Sequence, residues 1–198
     1  MRTVLRGALV TPRPSTVGDI PALAAIRTTP EVYTRRRGGD DLTAAVTGDL
    51  EDPGARTFAV EHGGRVVGAI QWGAEDEPDY RHANIDIYLD PAVHGRGLGT
   101  DAVRALARHP IDDHGYRRLV IDPAADHATA IRCYRKVGFR PVGIMRRYER
   151  GPDGSRHDGL LLVTPPPRKR GGFAVPGWRR EGPARPVERF GRPPCPRA

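Results

Sequence analysis

The chain has 198 residues, two cysteines and a formal net charge of +8. This length suits one domain with a sizeable core, and Cys133 and Cys195 provide neither a disulfide framework nor metal-ligand spacing. No apolar run approaches the length of a membrane span, so we expect no membrane partner. Because the cysteines suggest neither disulfides nor a metal site, we also expect a cytoplasmic protein without a metal.

The positive charge is concentrated at the C-terminus. Residues 165–198 contain nine Lys or Arg and two Glu, a net charge of +7, so residues 1–164 are close to neutral. The Pro, Arg and Gly content of this segment cannot bury enough apolar surface to fold alone. We therefore predict a folded domain over residues 1–164 and a disordered basic tail over 165–198. Nucleic-acid binding through the tail stays open as an alternative function, because it interleaves aromatic residues with arginines.

Strands and helices are expected to alternate along the folded part. Hydrophobic periodicity and turn residues predict strands over 4–13, 57–61, 65–72, 84–89, 119–121, 142–149 and 159–164. Helices are predicted from residue 15 or 16 to 27, over 41–50, from 98 until Pro110 ends it, and from an N-cap at Asp126 to 137, with Gly138 after it.

The loop between strand 84–89 and the following helix contains alternating glycines, His94-Gly95-Arg96-Gly97-Leu98-Gly99-Thr100. Glycines let the backbone approach a ligand closely, and the helix start adds unpaired N–H groups and a positive dipole end. These properties predict a phosphate-binding loop. A P-loop is excluded because no lysine follows the last glycine, and the glycine spacing does not fit the dinucleotide fingerprint. A flexible loop without a ligand is the alternative.

Several familiar catalytic groups are poorly supported. Ser15 and Ser155 are the chain's serines, and neither lies in a Gly-x-Ser-x-Gly elbow. The seven histidines form no i, i+4 pair that would suggest zinc. Cys133 lies on an apolar helix face, which is typical of a small core residue. Tyr134, by itself, fits a core aromatic as well as a functional one.

Two motifs taken together resemble a known family. A strand, the glycine loop, a helix, a second strand and a helix ending Tyr134-Arg135-Lys136-Val137-Gly138-Phe139 resemble the GNAT superfamily of acetyl-CoA-dependent N-acetyltransferases over residues 4–164. Ile85-Asp86, the loop, Ile121-Asp122-Pro123 and residues 130–134 are most similar to the aminoglycoside 6′-N-acetyltransferases. The resemblance implies an α/β (α+β) fold with a mixed, mostly antiparallel sheet and flanking helices. It also implies acetyl-CoA as cosubstrate and a small-molecule amine as acceptor.

The resemblance also implies which residues contact acetyl-CoA. Loop N–H groups would bind the pyrophosphate, and the strand before the loop, splayed from its neighbour, would pair with the pantetheine amides and hold the thioester oxygen near Leu89. His127 stands near the position of the family's usual asparagine. The implied cofactor-binding residues are Ile87, Tyr88, Leu89, His94, Gly95, Arg96, Gly97, Leu98, Gly99, Thr100 and His127.

The remaining expectations concern catalysis and the acceptor. Asp86 would be the base, directly or through water, because a carboxylate in an apolar strand is costly unless it is partnered or functional. An outward-facing, solvated Asp86 is the alternative. Tyr134 would donate a proton to the departing sulfur. Asp122 and Asp158 would attract a cationic acceptor, and the acidic segment 75–79 either lines the same groove or forms a solvated turn.

The acceptor is an aminoglycoside 6′-amine in this interpretation. A protein N-terminus or another small amine is the alternative acceptor, and a domain that binds the cofactor without turnover is a third possibility.

Overall fold

A central seven-stranded sheet organises the computed structural model, which describes residues 3–36, 39–151 and 154–165. The strands are β1 (Thr11–Pro14), β2 (Ala55–His62), β3 (Arg65–Glu75), β4 (His82–Leu89), β5 (Leu119–Ile121), β6 (Arg140–Arg150) and β7 (Arg156–Val163). The helices are α1 (Ile20–Arg27), α2 (Pro30–Tyr33), α3 (Leu42–Glu51), α4 (Leu98–Asp112) and α5 (Ala128–Val137). The predicted tail lies outside the described residues, apart from Pro165.

The sheet is mixed and mostly antiparallel, as predicted. Its strand order is β1-β2-β3-β4-β5-β7-β6, and β4 with β5 is the parallel pair among the described strands. Helices flank both faces, and none of the described helices is long and apolar enough to cross a membrane.

The two faces of the sheet bury separate apolar clusters. On one face, Leu23 of α1 and Val46 of α3 pack in one cluster with Tyr88 of β4. On the other face, the cluster includes Leu106 of α4, Val137 of α5 and alternate residues of β4 from Ala83 to Leu89. Because strand side chains alternate between faces, β4 contributes to both cores. It therefore has helices on either side.

Local sequence signals explain several helix ends. The Asp41 side chain accepts a hydrogen bond from Ala44 N at 2.9 Å and caps α3. Gly138 adopts φ 114° and ends α5, as predicted. Helix α2, which begins at Pro30, was missed because it is only one turn long.

Two predicted helix boundaries are wrong. Helix α4 continues through Pro110 to Asp112, although a proline inside a helix removes one hydrogen bond and crowds the preceding turn. Pro110 is fully buried, and Asp113 N bonds to His109 O at 3.0 Å beyond it. Helix α5 has His127 rather than Asp126 at its N-cap position. The Asp126 carboxylate is engaged elsewhere, by Arg35.

The first strand is shorter than predicted. Only Thr11–Pro14 pairs with β2, and the preceding segment forms a loop against α4. The Asp101 carboxylate of α4 accepts hydrogen bonds from the backbone N–H groups of Ala8, Leu9 and Val10, at 3.0, 2.6 and 3.1 Å. These donors are satisfied by a carboxylate instead of a neighbouring strand, so the segment need not be extended.

Candidate active site

The sheet opens between its two parallel strands. β4 and β5 pair only at Ala83 with Leu119 and at Asn84 with Val120. Beyond these pairs, residues 85–89 of β4 have no described strand partner on that side, while β5 turns away to pair with β7. We call this gap, between residues 85–89 and the β5–α5 connection at 122–127, the cleft.

The alternation of backbone hydrogen bonds shows which β4 amides face the cleft. Asp90 N bonds to Val67 O on the β3 side, whereas Ala83 N bonds to Arg118 O on the β5 side. In a strand, the N–H and C=O groups of alternate residues point to the same side. The backbone groups of Ile85, Ile87 and Leu89 therefore point into the cleft.

Tyr88 departs from the predicted set of cofactor contacts. It is paired with Ala69 of β3, and the same alternation directs its N–H and C=O groups to β3. Its side chain packs in the α1–α3 core. Its backbone is therefore not placed to pair with a ligand in the cleft, whereas the backbones of Ile87 and Leu89 are.

The glycine loop leads from β4 into α4. Gly97 adopts φ 83°, a left-handed conformation that suits glycine, and is the N-cap of α4. The first helical bond runs from Asp101 N to Gly97 O at 3.1 Å. The N–H groups of residues 97–100 therefore have no intrahelical acceptor. Residues 94–97 are exposed, so this end of the helix is open to an anion.

His94 helps to shape this loop. Its Nε2 lies 3.0 Å from the carbonyl oxygen of Leu89, and because a carbonyl can only accept, the ring nitrogen donates. This bond occupies the last β4 carbonyl that points into the cleft and leaves the Leu89 N–H group available. The position fits a loop-shaping role for the imidazole better than a phosphate contact through Nε2.

His127 lies near His94, across the cleft. It is half-buried, and burial lowers its pKa, with the charge of Arg35 acting in the same direction. The ring is therefore neutral at pH 7 and presents a donor and an acceptor, as an asparagine side chain does. This polarity fits the contact that the family resemblance assigns to an asparagine.

The glycine loop and α5 meet beside Cys133. The hydroxyl of Thr100 donates to Cys133 Sγ at 3.3 Å, and a side chain at Gly99 would lie 3.7 Å from the same sulfur and 3.5 Å from Leu89 Cδ1. Both distances are ordinary van der Waals contacts, and they show that β4, α4 and α5 converge at one end of the cleft. Burial raises the pKa of Cys133, which does not favour a thiolate nucleophile.

Asp86 lies on the opposite face of β4 from the glycine loop. Its side chain is 53% exposed and forms an ion pair with the guanidinium of Arg36. Arg36 also contacts Asp49 Oδ2 at 3.1 Å and lies over the ring of Tyr88, 5.1 Å from its centroid. The predicted carboxylate is therefore partnered. Sequence analysis missed Arg36, which stands among three successive arginines without a distinctive pattern.

Tyr134 approaches the cleft from the α4–α5 face. It is 7% exposed and packs against Phe139, with a ring-centroid distance of 6.3 Å. Burial raises its pKa, and Cys133 and Asp122 act in the same direction. The hydroxyl is therefore protonated at neutral pH, but it is a weaker acid than a free phenol. Tyr134 and Asp86 lie on opposite faces of the sheet, and the cleft is the passage between them.

Of the acidic residues predicted to attract the acceptor, Asp122 and Asp158 lie beside the cleft. Asp122 begins the β5–α5 connection and accepts a hydrogen bond from Tyr148, which raises the pKa of that tyrosine to about 12. Asp158 of β7 accepts from Arg147 N at 2.8 Å and from Arg146 Nη1 at 2.6 Å. These bonds lower the pKa of Asp158. Both carboxylates lie on the β5–β7 side of the cleft, although Asp158 is already neutralised by an arginine.

The acidic segment 75–79 lies away from the cleft. It joins β3 to the start of β4, whereas the cleft lies along residues 85–89. Asp76 accepts a hydrogen bond from the Tyr116 hydroxyl at 2.6 Å and pairs with Arg81 at 3.4 Å. The structure therefore supports a turn rather than part of an acceptor groove.

A cavity of about 410 Å³ opens beside the β5–α5 connection, lined by Ala125, Asp126, Arg156, His157 and Asp158. It is open to solvent and bounded mainly by polar side chains. The loop that forms one wall is fixed to β7, because Ala125 N donates to Asp158 O at 2.8 Å.

The strand order, the cleft beside the parallel pair and the open helix start define the fold class of the acetyl-CoA-dependent acetyltransferases. The chain belongs to the acetyltransferase (GNAT) family, whose model matches residues 21–139. It is similar to a kanamycin resistance protein of Rhizobium radiobacter, with 36% identity over 101 residues that cover 50% of this chain and 82% of that protein.

It is also similar to the N-alpha-acetyltransferase RimI of Mycobacterium tuberculosis, with 31% identity over 140 residues, 69% of this chain and 85% of RimI. Among solved structures, AAC(6′)-Ib in complex with paromomycin and acetyl-CoA superimposes with a TM-score of 0.65 and 24% identity, covering 79% of this chain and 93% of that one. The structural likeness supports the fold, and the family supports acetyl transfer.

Proposed function

We propose that this acetyltransferase moves the acetyl group of acetyl-CoA to the 6′-amine of an aminoglycoside. The cleft is the observation that best supports an acetyl-transfer site. The amides of Ile87 and Leu89 point into it, the open start of α4 lies at one face, and Asp86 lies at the other.

The cofactor contacts follow from that arrangement. The N–H groups of residues 97–100 bind the pyrophosphate through the helix start. The backbone of Ile87 pairs with the pantetheine arm, as a strand would. The free Leu89 N–H group holds the thioester oxygen, where negative charge develops during attack.

The two side chains proposed for catalysis move protons at the two ends of the reaction. The amine nitrogen forms a C–N bond to the acetyl carbon and gives up a proton to Asp86, directly or through water. The C–S bond breaks, and the sulfur takes a hydrogen bond and then a proton from Tyr134. Because burial raises the pKa of Tyr134, its hydroxyl is protonated when the thiolate develops and donates a hydrogen bond to it before the proton moves.

The choice of acceptor rests on the kanamycin resistance relative and on the cavity beside Asp126 and Asp158. A protein N-terminus is the second candidate. It is favoured by the longer alignment with RimI and by Arg146, which already neutralises Asp158 and so reduces the attraction for a polycation.

An acetyl-CoA turnover assay tests the proposal. Kanamycin, single-amine peptides and simple amines serve as acceptors for the wild type and for the Asp86→Asn and Tyr134→Phe variants. We expect each substitution to lower kcat about 100-fold, while the Kd for coenzyme A stays within about twofold, because backbone groups bind the cofactor.

Matched controls are available at the far end of β4. Asp79→Asn and Tyr80→Phe change the same groups at exposed positions outside the cleft and are expected to leave kcat unchanged. Full activity in both Asp86→Asn and Tyr134→Phe would refute the catalytic assignment. Turnover restricted to peptides would refute the aminoglycoside assignment and leave the catalytic assignment standing.

A further inference from the structure

Two successive arginines in the turn after α2 contact opposite sides of the cleft. Arg36 pairs with Asp86 on β4, which borders the cleft on one side. Arg35 Nη1 pairs with Asp126 Oδ1 at 2.5 Å, and Asp126 belongs to the connection that borders the cleft on the other side. The side chains of these two neighbouring residues therefore reach both sides of the cleft.

The two arginines are held very differently. The Arg36 side chain is 15% exposed and contacts Asp49, Asp86 and the ring of Tyr88. It is anchored to the β1–β4 part of the molecule. The Arg35 side chain is 40% exposed, and its carboxylate partner on Asp126 is 71% exposed. Such a solvated pair is weak and exchanges readily with another cation.

Asp126 also borders the cavity beside the β5–α5 connection. Asp86 and Asp126, which border the cleft on its two sides, are thus each paired with an arginine. A molecule whose single ammonium group lies at Asp86 cannot also form an ion pair with Asp126. A molecule with a second ammonium group gains an ion pair at Asp126 if it displaces Arg35.

We infer that Arg35 and Asp126 form an exchangeable latch that determines acceptor specificity, in which a second ammonium group of the acceptor replaces Arg35 on Asp126. The inference rests on the proposed function and deepens it. It defines the acceptor class as amines with at least two positive charges. Arg36 stays in place and sets the position of the neighbouring latch.

Steady-state kinetics with a double-mutant cycle test the latch. The acceptors are kanamycin, with several ammonium groups, and a peptide whose α-amine is its only amine. We expect Asp126→Asn to raise the KM for kanamycin about fivefold, the scale of one exposed ion pair, and to leave the KM for the peptide unchanged. Arg35→Gln should lower the KM for kanamycin about threefold in the wild type, because the competing cation is gone.

The cycle separates displacement from a general change in charge. If Arg35 acts by competing for Asp126, Arg35→Gln has no effect on KM in the Asp126→Asn background. Glu31→Gln, an exposed acid on α2, controls for the loss of one nearby charge and should leave both KM values unchanged.

An equal effect of Arg35→Gln on the KM for kanamycin in the wild-type and Asp126→Asn backgrounds would overturn the latch. A KM for kanamycin that Asp126→Asn leaves unchanged would also overturn it. A wild-type protein that binds coenzyme A but acetylates no amine would instead overturn the proposed function, and the latch with it.

Discussion

The contact between Asp101 and the segment before β1 gives a prediction that depends on no ligand. The Asp101 side chain is buried and accepts hydrogen bonds from the N–H groups of Ala8, Leu9 and Val10. A side chain at Gly7 would place its Cβ 2.2 Å from Asp101 Oδ2, which is impossible without movement. Asp101→Ala and Gly7→Ala therefore disrupt the same contact from its two sides.

The expected magnitude follows from the burial of the three donors. A hydrogen bond to a charged group contributes about 1.5–3 kcal/mol, and stranding a buried donor costs a similar amount. Only the bond from Val10 is fully buried, since Ala8 and Leu9 are exposed and their N–H groups can turn to water. We therefore expect Asp101→Ala to lower the free energy of unfolding by about 3 kcal/mol, equivalent to about 6–12 °C in Tm for a domain of this size.

Urea unfolding of the wild type, Asp101→Ala, Gly7→Ala and the double variant measures the coupling. Asp101→Ala removes the atoms nearest to the Cβ that Gly7→Ala adds. Gly7→Ala should therefore lower the free energy of unfolding by at least about 1 kcal/mol less in the Asp101→Ala background than in the wild type. Asp101→Asn, which keeps one acceptor oxygen, should lose less stability than Asp101→Ala. Additive effects of the two alanine substitutions would show that the contact does not exist as described.

Three further predictions concern single positions. Gly97→Ala should lower the free energy of unfolding, measured in urea, by about 1–2 kcal/mol, because alanine disfavours the left-handed φ of this position. Gly97→Asn should lose less, since asparagine tolerates that φ and the nearest atom, Leu9 Cδ1, is 3.7 Å from the new Cβ. Equal losses in the two variants would exclude backbone strain as the cause. Arg13 holds the pKa of Asp19 at about 2, so their pair stabilises the fold above about pH 4 and loses about 2 kcal/mol as the pH falls to 2. Asp19→Asn should flatten that acid limb, and a limb of unchanged depth would contradict the pairing. Burial lowers the pKa of His127, so the free energy of unfolding should fall as the pH drops below about 6.5. His127→Asn should remove this pH dependence, and identical curves of stability against pH for the two proteins would contradict the prediction.

Features that depend on neighbouring residues were accessible to sequence analysis. The glycine loop was recognised because alternating glycines between an apolar strand and a helix have a local backbone purpose, and Gly97 has a positive φ as the N-cap of α4. Gly138 was assigned correctly for the same reason, since a helix that ends in the left-handed conformation favours glycine. The apolar periodicity of α4 and β4 likewise placed their buried faces.

Errors arose where a distant partner changed the outcome of a local rule. Residues before Thr11 looked like a strand, but the Asp101 carboxylate, more than 90 positions away, takes their N–H groups. Pro110 looked like a helix end, but it is fully buried and the helix resumes after one missing bond. Asp126 looked like an N-cap, but its carboxylate pairs with Arg35, a residue distant in the sequence, and His127 takes the N-cap position.

The sequence by itself indicated the family and most of the order of elements, and it predicted the phosphate-binding loop and the two candidate catalytic residues, because each of these leaves a pattern in residues close along the chain. Tertiary structure decided that β4 and β5 separate after two paired residues, which amides face the cleft, and which carboxylates pair with arginines. An apolar strand has the same pattern whether or not its edge is paired. The partner of an exposed charge is fixed only when the fold brings distant segments together, as it does for Arg35 and Asp126.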